Sequence, residues 1–155
     1  MDQSNLNPET LTVSVVGLGL MGCSITACLL MAGHRVVAVA PIPADMVTAE
    51  PRISEHLKRS FKEGITSRQP EDMLSNLVIT EDYASLKPCN LVIECTLEDQ
   101  EIKKSVYAKI EAVVSETTLI TSNTSAIPIS ILQQHTRVPS RFFGLHWAEP
   151  SHTTR

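Results

Sequence analysis

The sequence predicts an α/β fold, a doubly wound and mainly parallel sheet within one domain. Three observations carry it: short β-branched runs recur along the chain, helix-length segments stand between them, and the first run enters a glycine-rich turn in VSVVGLGLMG, residues 13–22. Strands that alternate with helices pack side by side in parallel, because each helix returns the chain to the edge where it began.

Taken in order, LTVSVVG (11–17) reads as a buried strand ending in glycine. LMGCSITACLLMA (20–32) has the length of a helix and closes on Gly33, which suits the left-handed residue just past a helix end. RVVAVA (35–40) is the second strand, APIPADM (40–46) a loop, and PRISEHLKRSFKEG (51–64) a helix opened by proline and closed by glycine. NLVIT (76–80), NLVIEC (90–95), TLITS (118–122) and FFGLHW (142–147) supply four further strands. From Glu98 to Val114 the spacing puts Ile102, Val106, Ile110 and Val113 on one helix face, with Lys103, Lys104 and Lys109 turned to water or a ligand. The polar residues 1–10 are expected to be poorly ordered, and 11–155 to form the single domain.

Composition narrows the class. With 155 residues the chain can bury one substantial core, and although 43% of it is hydrophobic, no apolar run approaches the roughly 20 residues of a membrane span. MDQSNLNPET carries no export signal, and Cys23, Cys28, Cys89 and Cys95 form no CxxC pair, so a reducing cytoplasm is expected, with Cys23 and Cys28 as small core residues. A formal charge of −4 without a Lys/Arg-rich run argues against nucleic acid or membrane as a partner, and no metal ligand set is visible.

Gly17, Gly19 and Gly22 stand as GxGxxG between the first strand and the first helix. In that setting Gly17 permits the tight turn, Gly19 lets a pyrophosphate lie against backbone N–H groups, and Gly22 lets helix and strand approach closely. The helix N-terminus adds partial positive charge. The expected ligand is a dinucleotide, held along Gly17, Leu18, Gly19, Leu20, Met21 and Gly22.

Further motifs make the resemblance more specific. AGH before the second strand, NLVIEC, EDQEIKK, SNTSAIPIS (122–130) and RFFGLHWAEP (141–150), together with GLGLMG, make the chain resemble the NAD-binding domain of the L-3-hydroxyacyl-CoA dehydrogenases from about Thr12 to Pro150. The resemblance implies a Rossmann-type domain that uses NAD. It also implies a helical partner domain, which in that family dimerises and closes over an acyl-CoA or hydroxy-acid substrate and has no counterpart in this chain, and so a possible homodimer. His146 in GLHW matches the histidine that takes the hydroxyl proton as hydride leaves the same carbon, work suited to an imidazole. Ser125 matches the serine on the substrate oxygen. Glu98 and Lys103 match positions lining the cofactor, and Asn123 is expected beside the nicotinamide ribose.

The chain also departs from the family pattern. Spacing puts Ala40 where the family carries the aspartate for the adenosine ribose, with Asp45 in the following loop as the alternative. HWAEP replaces the family's HFFNP, so Glu149 stands for its asparagine. Positions expected to meet coenzyme A align to His56 and Glu63, and the glutamate that orients the family's histidine would fall beyond Arg155, so the enzyme implied by the resemblance is expected to be catalytically incomplete in this chain alone. Two other readings stay open: a β-hydroxyacid dehydrogenase of the 6-phosphogluconate type, and a catalytically silent, crystallin-like dinucleotide-binding protein.

Overall fold

The computed structural model describes residues 7–148, and among these six strands join into one parallel sheet. They are β1 (Thr12–Val16), β2 (Arg35–Val39), β3 (Leu77–Thr80), β4 (Leu91–Glu94), β5 (Leu119–Ser122) and β6 (Phe142–Gly144), in the spatial order β3-β2-β1-β4-β5-β6. The helices are α1 (Leu20–Met31), α2 (Pro43–Lys62), α3 (Pro70–Leu74), α4 (Gln100–Glu111) and α5 (Ile129–Gln133). One face of the sheet packs Val15 and Ala38 against Ile25, Leu30, Ile53 and Leu57 of α1 and α2. On the other face, Val39, Val92 and Ile120 pack with Val106 and Ile110 of α4. This is the doubly wound Rossmann arrangement, and its strand order reverses direction between β1 and β4, where ligands of such sheets bind beyond the carboxyl ends of the strands.

The glycine turn has the geometry its spacing demands. Gly17 sits at φ +99°, and a Cβ there would lie 2.7 Å from the Cys95 carbonyl carbon and oxygen. A Cβ on Gly22 would fall onto the Gly17 carbonyl oxygen and 2.9 Å from its carbon, so the first turn of α1 rests directly on the turn that precedes it. Gly33 ends α1 in the left-handed region at φ +97°, as its position predicts.

Several elements differ from expectation. The strand expected over 142–147 stops at Gly144, which leaves His146 in the loop beyond its carboxyl end. The helix expected to open at Pro51 is already running from Pro43, with Asp45 in its first turn. Pro43 takes the first helical position, and Pro51, lacking an N–H, leaves the carbonyl of Val47 without its helix partner. Val47 is 78% exposed, so water can serve that carbonyl. α4 starts after Asp99, whose Oδ1 accepts from Ile102 N at 2.9 Å, so Glu98 precedes the helix. Its inward stripe is Lys103, Val106, Tyr107 and Ile110, while Ile102 is 40% exposed. The lysine expected to face water is buried because it meets a buried carboxylate, described below.

Pro8–Thr10 form a short 3-10 turn capped by Asn7; residues 1–6 lie outside the described residues, as does Glu149. Among the described residues no helix is long and apolar enough to cross a membrane, and no group of His, Cys, Asp and Glu could hold a metal ion. Cys23 is buried, its Sγ–H directed at Leu18 O at 3.2 Å, consistent with a packing role.

Replacing Gly22 by alanine is expected to destabilise the domain by about 1–3 kcal/mol or more, since the contact is with backbone that cannot rotate away. Urea denaturation checks this; an unchanged midpoint would show that α1 can lift from the turn freely.

Candidate functional site

Where the strand order reverses, a cleft of 710 Å³ opens between the glycine turn and α4. One wall is Gly17, Leu18 and Gly19 continued by Pro41, Ile42 and Asp45; the other is Cys95–Leu97 followed by Glu101, Ile102, Ser105 and Lys109. Leu18 borders the cleft while its side chain packs in the core. A Cβ on Gly19 would meet nothing within 4 Å: that space is open, whereas the spaces beside Gly17 and Gly22 are filled by protein. No side chain caps α1, whose N-cap is Gly19 itself, so its first-turn N–H groups are left for a ligand. The cradle thus fits a dinucleotide pyrophosphate, with bare backbone and uncapped helix amides facing room for two phosphates.

Beside the cleft, the carboxyl ends of β4 and β5 are joined by an ionic network. Glu94 is fully buried at the end of β4. Its Oε1 accepts from Lys103 Nζ at 2.8 Å and from the amide and hydroxyl of Thr96, both at 2.6 Å. Its Oε2 accepts from Ser122 Oγ at 2.6 Å, Tyr107 OH at 2.9 Å and Lys103 Nζ at 3.0 Å. Burial, reinforced by the Glu94 charge, pushes the Tyr107 hydroxyl far above its ordinary value, so it stays a donor.

Lys103 also lies 3.6 Å from Glu98 Oε2. Glu98 Oε1 in turn accepts from the Thr124 hydroxyl and from the amides of Ser125 at 3.0 Å, Ala126 at 2.9 Å and Ile127 at 3.3 Å. Partial burial alone would raise the Glu98 carboxyl, but the bonds from Thr124, Ala126 and Ile127 and the Lys103 charge outweigh it and hold the group at about 2. Glu98 is therefore the anchor of the turn that carries Ser125.

Ser125 Oγ stands 3.0 Å from His146 Nε2, and both residues are exposed. The loop bearing His146 is tied to the end of β5 on either side: Leu145 N donates to Ser122 O at 3.0 Å, and Trp147 N donates to Asn123 Oδ1 at 2.7 Å. Asn123 N donates in turn to Glu94 O at 2.8 Å. A hydroxyl beside an imidazole at the carboxyl edge of the sheet can bind an alcohol or carbonyl oxygen and exchange a proton with it.

The residues expected from sequence therefore divide into two groups. Gly17, Leu18 and Gly19 line the cleft, Leu20 and Met21 open α1 beside it, and Gly22 packs behind it. Glu98, Lys103, Asn123, Ser125 and His146 gather at the ends of β4, β5 and β6 and do not line the cleft. Lys103 is sealed from solvent, which corrects the expectation that it faces water or a ligand. Glu94, Tyr107, Ser122 and Thr124 were missed by sequence reasoning. The available signal was a glutamate closing an otherwise apolar strand, a feature that demands a cation nearby.

With this geometry in hand, comparison with known proteins is specific. The family model described as "3-hydroxyacyl-CoA dehydrogenase, NAD binding domain" matches residues 12–155. A 3-hydroxybutyryl-CoA dehydrogenase of Mycobacterium tuberculosis is 35% identical over 140 residues, covering 89% of this chain and 49% of that protein. A 5-formyl-3-hydroxy-2-methylpyridine 4-carboxylate 5-dehydrogenase of Mesorhizobium japonicum is 32% identical, covering 90% and 45%. The crystal structure of (S)-3-hydroxybutyryl-CoA dehydrogenase PaaH1 from Ralstonia eutropha superimposes with a TM-score of 0.84 at 30% identity, covering 90% of this chain and 50% of that one. The chain spans about half the length of the curated relatives it matches.

Two outcomes are expected at these positions. Gly19→Val should leave thermal stability close to native yet abolish NAD binding in calorimetry, because its side chain enters open space that the pyrophosphate needs; undiminished affinity would remove the phosphate from this turn. Titration of the Glu98 carboxyl by carbon-detected NMR should give a midpoint near 2 instead of the ordinary 4.5. Because the folded value is the lower one, the stability Glu98 contributes is complete above about pH 4.5 and is lost as pH falls towards 2. A midpoint at the ordinary value would break the anchor.

Proposed function

The chain belongs to the 3-hydroxyacyl-CoA dehydrogenase family as its NAD-binding domain, and from that premise we propose that it serves the oxidation of a 3-hydroxyacyl thioester of coenzyme A to the 3-oxo thioester, and the reverse reduction. The observation that carries the reading is the 3.0 Å pairing of Ser125 Oγ with His146 Nε2 at the sheet edge that also holds the dinucleotide cleft. Membership of this family sets aside the 6-phosphogluconate-type alternative. The resemblance extends the proposal to a homodimeric protein.

Oxidation removes two hydrogens from the substrate, the hydroxyl proton and a hydride from the same carbon. Bound NAD supplies the hydride acceptor. His146 takes the proton at Nε2, the nitrogen that accepts when the ring carries its hydrogen on Nδ1. Ser125 Oγ faces that nitrogen at 3.0 Å, so a substrate oxygen seated against both groups would give its proton to Nε2 and accept from the serine hydroxyl. In the reductive direction the imidazolium would return the proton to the carbonyl oxygen while that oxygen's carbon takes the hydride supplied by the bound cofactor, and Ser125 again fixes the oxygen. Glu98 holds the backbone of the Ser125 turn, which keeps the hydroxyl and imidazole in register.

The test, made on this domain joined to the helical partner domain that the resemblance implies, is NADH formation with 3-hydroxybutyryl-CoA by the native protein and by His146→Gln. The glutamine variant is expected to be slower by about 10²–10⁴ with NAD affinity within about twofold of native. A loss of only a few-fold, or a parallel loss of NAD affinity, would make His146 a structural residue.

A further inference from the structure

We propose that Asp45, instead of the residue that follows β2, holds the adenosine ribose and sets the preference for NAD over its 2′-phosphorylated form; this rests on reading the cleft as the cofactor site. The chemistry needed is narrow. The ribose presents two neighbouring hydroxyls, both able to donate, and a carboxylate can accept from both while repelling a phosphate on the 2′ oxygen.

The position just past β2 cannot supply that group. Ala40 is 1% exposed, belongs to the core beneath α1 and α2, and its N–H is taken by Thr80 O at 2.9 Å, so it continues the sheet with no polar atom turned to the cleft. A carboxylate placed there would be sealed against apolar side chains. The chain then turns at Pro41–Pro43, where Asp45 N donates to Ile42 O at 2.9 Å, and this brings Asp45 back onto the cleft wall in line with Gly17, Gly19, Pro41 and Ile42.

Asp45 is half-buried, and its carboxylate makes no hydrogen bond or ion pair with the described residues, although it stands in the first turn of α2, whose N-cap Ile42 has no side-chain acceptor. The other acid on the wall, Glu101, lies across the cleft on α4 and pairs with Lys104 at 3.7 Å. The lining cation, Lys109, also belongs to α4 and sits 5.5 Å from the Tyr83 ring centroid. The wall that carries Asp45 holds no guanidinium to receive a 2′-phosphate; Arg52, further along α2, is not part of it. Asp45 acts by its charge on the Cys23 thiol, which Arg52 also contacts, but its oxygens carry no hydrogen bond from the described residues, and a carboxylate with open acceptors on the glycine-turn side of the cleft is the group a ribose diol requires.

The experiment is calorimetry on the native chain and on Asp45→Asn with three probes: NAD, 2′-deoxy-NAD and NADP, with thermal melting to verify that both proteins fold. The native chain is expected to prefer NAD to both analogues. Asp45→Asn should weaken NAD roughly ten- to a hundredfold, bring NAD and 2′-deoxy-NAD to nearly equal affinity, and narrow the gap to NADP. Retained discrimination against 2′-deoxy-NAD in the variant, or an NAD affinity within about twofold of native, would overturn the assignment while leaving the cleft as the cofactor site. Absence of NAD binding to the native chain would overturn the reading of the cleft and this assignment with it.

Discussion

The arrangement of the sheet edge that carries Ser125 and His146 depends on a carboxylate that has no contact with water. Glu94 ends β4 fully buried and shares its two oxygens among Lys103, Thr96, Tyr107 and Ser122. Transfer of such an ion from water costs several kcal/mol, which the structure offsets only because a cation and four neutral donors converge on it. The donors come from the loop after β4, from α4 and from the end of β5, so satisfying one charge fixes three segments at once. Removing Lys103 would leave that charge unpaired, whereas removing both partners would cost mainly positional definition. A buried ion pair is weak as a stabiliser and strong as a determinant of where these segments must lie.

A second buried cluster does the same for the approach to β6. Glu111, at the end of α4, accepts from Arg137 N at 2.9 and 3.0 Å and pairs with Arg141 at 3.3 Å. Arg141 also donates to the carbonyls of Ser115 at 2.5 Å and Thr118 at 3.2 Å. These contacts bridge the end of α4, the loop before β5 and the residues leading into β6, and so fix the base of the strand that leads into the His146 loop. Both ends of α4 are thus held by ions, Lys103 at the start and Glu111 at the close.

How much of this was legible in the sequence follows from the range of the forces involved. The strands and the glycine turn were legible because β-branched runs and a helix-opening GxGxxG report local backbone geometry, and Gly17, Gly22 and Gly33 behave as their positions imply. The start of α2 was not, because Pro43 and Pro51 give the same local signal and the choice between them depends on where the helix meets α1. The facing of α4 was misjudged for a related reason. Lys103 lies at the helical spacing of Val106, Tyr107 and Ile110, but a lysine counts as polar until its carboxylate, nine residues earlier on another element, is known. Ser125 and His146 were identified by motif, yet their separation and the role of Glu98 between them arise from pairings across 21 and 27 residues that no local pattern encodes.

The two backbone tethers on either side of His146 have a consequence for motion. Leu145 and Trp147 are bound to Ser122 and Asn123, neighbouring residues of the segment that leads into the Ser125 turn. The imidazole is therefore mounted on the same rigid piece as the hydroxyl it faces, and its remaining freedom is rotation about its own side-chain bonds. Any breathing of the sheet edge carries the hydroxyl and the imidazole together, so their 3.0 Å separation is set independently of the width of the cleft. Widening of the cleft and alignment of this hydroxyl–imidazole pair become separate degrees of freedom, and the entropy of aligning the pair is already lost when the chain folds.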